Sequence, residues 1–250
     1  MEIEKGTRVA VFGATSDIGA SFVAECALRG ADLLLIGRNE ESLERIATDA
    51  RVRGGTVTTA RFDFADIGGI STLVTEVWEK LGGVDVAAIF YGVLPPLGGT
   101  EGDALELDKQ VRVNFTSPAA LLSGVASRMV DQKIEGTLVA VTSVAGDRGR
   151  ASNYPYGSAK AGLSAYCSGL GQALARKGVT VIDIRPGFVA TKMTKHLKQG
   201  PLFASPEAIA KGIIKAVRKG SPVVYLPWFW RFIMAAIVHI PSRVFRKFSL

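Results

Sequence analysis

Apolar residues along the chain fall into two alternating patterns. The runs Arg8 to Phe12, Asp32 to Ile36, Val57 to Phe62, Val84 to Phe90, Thr137 to Thr142 and Val179 to Ile184 are short and β-rich. Most are almost unbroken in apolar character, as strands buried on both faces should be. Between them, Ile18 to Arg29, Glu40 to Arg53, Ile67 to Leu81, Leu105 to Met129, Tyr156 to Arg176 and Pro206 to Lys219 show i, i+3, i+4 apolar spacing in part. These segments read as helices. Parallel strands need crossovers, so the alternation predicts a single α/β domain, a doubly wound parallel sheet with helices on both faces. No solenoid repeat, low-complexity tract or Pro/Ser-rich linker interrupts it, and 250 residues suffice for one such core.

The pattern breaks after Gly220. Over residues 221–250, Tyr225, Trp228, Phe229 and Trp230 cluster, Phe232 to Ile240 is apolar apart from His239, and Arg243, Arg246 and Lys247 follow Pro241. The chain therefore divides into a domain over 1–220 and an apolar, basic appendage over 221–250. The apolar run is about half the roughly 20 residues that span a bilayer, so it suits the interface, with tryptophans at headgroup depth and basic groups on anionic lipid. The alternative is that these aromatics cover a substrate pocket or a subunit interface.

Charge points the same way. Net charge is +7, but the chain before and including Ala175 has 16 basic and 21 acidic residues (−5), and the rest has 14 and 2 (+12). A basic excess at one end indicates a local anionic partner. No nucleic-acid motif accompanies it and the aromatics are not interleaved with the lysines, so a membrane surface is expected and nucleic acid is not. Two cysteines, Cys26 and Cys167, build no disulfide framework, and no spaced Cys and His suggest a metal site. The N-terminus, MEIEKGTRVAVFG, is acidic where a signal peptide is positive. The expected location is cytoplasmic, peripheral to the inner face of the cytoplasmic membrane.

The first strand runs into Gly13-Ala14-Thr15-Ser16-Asp17-Ile18-Gly19 and then a helix, where a doubly wound fold binds a nucleotide phosphate. Gly13 permits the tight turn, Gly19 lets helix and strand pack closely, and the backbone N–H groups between are left for an anion. Such turns also occur without a cofactor, and the spacing is not GxGxxG. Arg38, followed by Asn39, stands just past the second strand, where an arginine accommodates a 2′-phosphate and so favours NADP; otherwise it is a solvated residue opening the next helix. Asp63, before Phe64, is placed to accept from an adenine amino group or to cap a turn. Tyr156 and Lys160 lie four apart on one helical face, where a lysine stabilises a phenolate whose ordinary pKa near 10 is too high for neutral-pH proton transfer. Ser143 follows a strand and is available to a substrate carbonyl. Alone, a Tyr–Lys pair at this spacing is ordinary helix surface.

In combination these residues resemble the short-chain dehydrogenase/reductase family over roughly residues 6–220. The glycine-rich loop, Asn114 in VNFTSP, Ser143 in VTSVAG, Tyr156 and Lys160 thirteen and seventeen residues later, and Pro186-Gly187-Phe188-Val189-Ala190-Thr191 follow the family's order and spacing. The resemblance implies a Rossmann-type oxidoreductase using NADP(H). In it Tyr156 exchanges a proton with the substrate oxygen, Ser143 orients the carbonyl, Lys160 holds the nicotinamide ribose and lowers the tyrosine pKa, and Asn114 supports a water-linked proton relay. Cofactor contacts would come from Gly13, Thr15, Ser16, Asp17, Ile18, Gly19, Arg38, Asn39, Asp63, Phe64, Tyr91, Gly92, Pro186, Gly187, Val189 and Thr191, beside Tyr156 and Lys160. The family also implies homo-oligomers built on the helices containing Asn114 and Tyr156.

Two departures stand out. Phe12 and Asp17 replace the usual threonine and middle glycine of the loop, and Ile89-Phe90-Tyr91-Gly92 replaces Asn-Asn-Ala-Gly, so another group must hold that strand end. Both departures, with the basic aromatic tail, resemble a narrower group, the reductases of polyprenyl-phosphoryl 2-keto-pentoses. The expected activity is NADPH-dependent reduction of an amphiphilic, polyprenyl-phosphoryl-linked keto-sugar. The alternatives are a lipid ketone, 3-oxoacyl or steroid-like, and a non-catalytic NADP-binding membrane scaffold.

Overall fold

Side chains that alternate along each strand enter two separate cores. Val9, Val11, Leu33, Leu35 and Val139 face one way, and Ala10, Phe12, Leu34, Ile36 and Leu138 the other. The computed structural model, which describes residues 1–94 and 103–247, forms six strands at the apolar runs: β1 (Arg8–Phe12), β2 (Asp32–Gly37), β3 (Thr56–Arg61), β4 (Val86–Ile89), β5 (Thr137–Val141) and β6 (Thr180–Pro186). A two-stranded ladder, β7 (Phe188–Val189) with β8 (Phe203–Ala204), stands apart, and β9 (Val223–Leu226) completes a parallel seven-stranded sheet ordered β3-β2-β1-β4-β5-β6-β9. This is a Rossmann-like fold.

Helices α1 (Asp17–Ala27), α2 (Glu40–Val52) and α7 (Pro206–Lys219) bury Phe22, Leu43 and Ile213 on one face. Helices α3 (Ile70–Leu81), α5 (Ser117–Asp131) and α6 (Tyr154–Leu174) bury Val77, Leu122 and Leu163 on the other. Cys26 and Cys167 are free thiols on opposite faces of the sheet. The segment read as one helix over Leu105–Met129 is broken. After α4 (Ala104–Val111), residues Arg112–Thr116 form a π-helical turn before α5, a distortion frequent at functional sites.

The sheet runs past the composition boundary at 220. Asp183 lies opposite Val223 and Pro186 opposite Leu226 in the β6–β9 register, so part of the stretch read as an appendage is the edge strand of the domain. The chain then returns as α8 (Trp230–His239) and α9 (Ser242–Phe245). Trp230 and Met234 are 3% and 1% exposed and pack with Val144, Phe188 and Ile237. Arg148 donates to the carbonyls of Val238 at 2.9 Å and Ile240 at 3.2 Å, and its guanidinium stands 4.5 Å from the Phe245 ring centroid. Of the two readings of the tail, a cover over the body of the domain therefore has direct contacts. Trp228 and Phe232, 72% and 65% exposed, face outward. No helix among the described residues is long and apolar enough to cross a membrane.

Candidate active site

The carboxyl ends of β1, β4, β5 and β6 converge on a cavity of about 400 Å³, the ligand position of an open α/β sheet. One wall is the turn Thr15-Ser16-Asp17-Ile18. Gly13 shapes it with φ +83°, and a β-carbon there would fall 2.7 Å from the backbone N of Tyr91. Gly19 is equally confined, since its β-carbon would meet the Gly13 carbonyl at 2.6 Å. Ser16 Oγ caps α1 by accepting from Gly19 N at 3.1 Å. Asp17, where the family has a small residue, accepts from Lys192 N at 2.7 Å, with Lys192 Nζ 3.8 Å away. Its carboxylate thus fastens the turn to the segment after β7.

The second departure also has a structural answer. Tyr91 is partly buried, stacked on Phe64 with centroids 3.8 Å apart, and bonded through its hydroxyl to Ser117 Oγ at 2.9 Å. The strand end itself is held by Asn114: Oδ1 accepts from Val93 N at 3.0 Å, and Nδ2 donates to Val93 O at 2.8 Å and Gln110 Oε1 at 3.1 Å. Gly92 leaves room for this, because its β-carbon would sit 2.7 Å from Asn114 Oδ1.

Ser143, Tyr156 and Lys160 line the same cavity, with Pro186, Gly187, Val189 and Thr191. Helix α6 approaches the Ser143 turn closely because Gly157 has no β-carbon to meet Ala145 O, which would lie at 2.8 Å. Ser143 Oγ accepts from Ala145 N at 3.0 Å. Lys160 is 4% exposed, donates from Nζ to Val141 O at 2.9 Å, and stands 5.8 Å from the Tyr156 ring centroid. Burial lowers Lys160 to about 8, against the opposing charge of Asp183. Burial raises Tyr156 to about 12, against the Ser143 hydroxyl, so in the free protein the phenol holds its proton at neutral pH and has it to give.

The lysine shift carries a stability consequence. Below pH about 8 the buried ammonium is charged in the folded chain and penalised; between there and its ordinary 10.5 the unfolded chain binds the extra proton, so this group's contribution improves as pH rises. Lys160→Met should therefore melt above the wild type at neutral pH without cofactor, with the gap narrowing as pH rises through that window. A melting gap that widens with pH would contradict the buried-ammonium account.

The other sequence candidates lie outside the cavity wall. Arg38 and Asn39 are exposed just beyond β2, where Gly37 abuts Thr15, and Asn39 Oδ1 caps α2 by accepting from Ser42 N at 2.7 Å. Asp63 is exposed and accepts from Ala65 N at 3.1 Å. Arg150 and Asn153 line the cavity beside Tyr156 although no motif marks them; the only signal is their place in the turn between Ser143 and Tyr156. Leu94 also lines the cavity; residues 95–102 lie outside the described residues.

The family model for short chain dehydrogenases matches residues 7–201. The chain belongs to the short-chain dehydrogenase family. An uncharacterized oxidoreductase of Mycobacterium tuberculosis is 35% identical over 240 residues, covering 96% of either chain. One from Streptomyces coelicolor is 33% identical over 240 residues, 95% of this chain and 94% of that one. Among solved structures, a variant of actinorhodin polyketide ketoreductase with NADPH superposes at TM-score 0.79 with 25% identity, covering 90% of this chain and 97% of that one. As a short-chain dehydrogenase, the chain is an oxidoreductase, and its Ser143, Tyr156 and Lys160 stand on one cavity in family order.

Proposed function

We propose that this short-chain dehydrogenase is an NADPH-dependent ketoreductase of an amphiphilic ketone, with a polyprenyl-phosphoryl keto-sugar as the preferred substrate. The observation that carries it is that the Thr15–Ile18 turn and Ser143, Tyr156 and Lys160 line one and the same cavity. The residues fit the cofactor. Backbone amides at the start of α1 suit a pyrophosphate, and Arg38, exposed and in no ion pair among the described residues, suits a 2′-phosphate. The solved ketoreductase with NADPH is consistent with this. Tyr91, Gly92 and the Pro186–Thr191 segment would flank the nicotinamide, which when bound supplies the hydride.

The protein's part is binding and proton transfer. Ser143 Oγ would donate to the carbonyl oxygen, and the Tyr156 phenol would deliver its proton to that oxygen as negative charge develops. Lys160, held by Val141 O, would bring positive charge toward the phenolate left behind. Asn114 would act as a positioning residue, fixing the Val93 backbone beside this group. Leu94, Phe188, Met193 and Leu197 give the cavity its apolar side, which favours a substrate with an apolar body.

Anionic lipid is the proposed surface partner. Trp228 and Phe232 project outward near Arg231, with Arg243 and Arg246 following, an arrangement that suits headgroup depth. Trp228→Ser with Phe232→Ser should weaken binding to anionic liposomes, and unchanged binding would remove these residues as the anchor.

The functional test is NADPH oxidation with a polyprenyl-phosphoryl 2-keto-pentose, the free keto-sugar and a 3-oxoacyl compound. Turnover of the lipid-linked sugar alone supports the reading; turnover of the acyl ketone alone keeps the chemistry and replaces the substrate. In the same assay Arg38→Asp should cut the preference for NADPH over NADH about tenfold or more, from the lost charge-assisted bonds. An unchanged preference would place the 2′-phosphate elsewhere.

A further inference from the structure

Two buried polar atoms in the cavity wall have no partner. Arg150 Nε and Asn153 Oδ1 make no hydrogen bond among the described residues, and both residues line the cavity that holds Ser143 and Tyr156. A native fold rarely leaves buried donors and acceptors unmatched, and a partly buried cation without a counter-charge is costly. Among the described residues the Arg150 guanidinium makes one hydrogen bond, from Nη2 to Met234 Sδ at 3.6 Å, a weak acceptor. Asp147, the carboxylate whose charge Arg150 feels, is already engaged: it accepts from Arg185 Nη1 and from the Tyr225 hydroxyl, both at 2.9 Å. Asn153 precedes α6 in the capping position, yet its side chain makes no cap bond, unlike Asn39 before α2. Asn153 instead lines the cavity, as Arg150 does.

We propose that Arg150, with Asn153 in the same cavity lining, forms a subsite for an anionic oxygen group of the substrate, Arg150 donating to a phosphoryl or carboxyl group. The inference rests on the ketoreductase reading and narrows it to ketones that carry an anion. On the proposed reading the cofactor's phosphates would be met elsewhere, at the Thr15–Ile18 turn and Arg38, which leaves Arg150 to the substrate. Its planar fork suits bidentate recognition of either oxyanion.

The test uses the NADP⁺ complex, which binds a ketone without reducing it. A keto methyl ester, its free acid and a keto-alkyl phosphate of equal length are titrated calorimetrically onto wild type, Arg150→Met, Arg150→Lys and Tyr156→Phe. The charged compounds should bind wild type on the order of 10- to 100-fold tighter than the ester, the range of a charge-assisted bond. That ratio should collapse in Arg150→Met, survive in part in Arg150→Lys, and persist in Tyr156→Phe. The acid and phosphate arms tell which oxyanion is preferred. A wild-type ratio near one, or the full ratio in an Arg150→Met protein that melts like wild type, overturns the subsite. Charge-selective binding with no NADPH turnover of any ketone would instead overturn the reductase reading and leave the subsite standing.

Discussion

Tyr156→Phe should lower ketone reduction by about 10²- to 10⁴-fold, the range of a lost general acid, while NADPH affinity changes only a few-fold. The substitution keeps the ring that lies 5.8 Å from Lys160 Nζ and removes only the hydroxyl. Because burial holds that phenol protonated up to about 12, it is the proton donor ready in the cavity at neutral pH. Lys160 can stabilise the phenolate but is anchored to Val141 O, and Ser143 accepts from Ala145 N. Steady-state NADPH oxidation with a fluorescence titration of cofactor binding separates the two effects. Retention of more than about a tenth of the turnover would mean that the proton comes from elsewhere.

The largest stability effect is expected at Trp230→Ala, about 3–5 kcal/mol for truncating a buried indole, or roughly 6–20 °C in Tm for a chain of this size. Trp230 meets Phe188 edge to face, with centroids 5.4 Å apart at 79°. A β-carbon on Gly187 would lie 1.9 Å from Trp230 Nε1, so glycine and indole fit only each other. Loss of the indole should also loosen the Pro186–Thr191 segment and weaken turnover. Thermal melting measures the first effect directly. A variant that melts with the wild type would show α8 to be a detachable tail instead of part of the domain.

The fold was largely legible because doubly buried strands and amphipathic helices leave different periods in the sequence. The edge strand β9 escaped that reading: Val223 is exposed and the rest of VVYL only partly buried, so it lacks the doubly buried signature. Its aromatic surroundings read as an interfacial segment; Trp230 and Met234, four apart, form the inward face of a docked helix, while Trp228 and Phe232 stay exposed. The π-helical turn at Arg112–Thr116 was invisible because the apolar spacing around it still reads as helix. In the site, Ser143, Tyr156 and Lys160 stood out only through the family resemblance, and the structure brings them to one cavity. Asp17 was not, since its partner Lys192 lies 175 residues along the chain. Arg150 and Asn153 were hidden in a Gly/Arg/Ser turn that reads as solvated loop, and their significance comes from burial alone.

The most direct test of the ketoreductase account is the fate of a labelled hydride. NADPH deuterated at the transferring carbon is incubated with the protein and the polyprenyl-phosphoryl keto-pentose, and the alcohol product is analysed by mass spectrometry. The account predicts one deuterium on the carbinol carbon, formed by wild type and nearly absent with Tyr156→Phe. NADPH consumed without label in the alcohol, or equal labelled product from Tyr156→Phe, would contradict it.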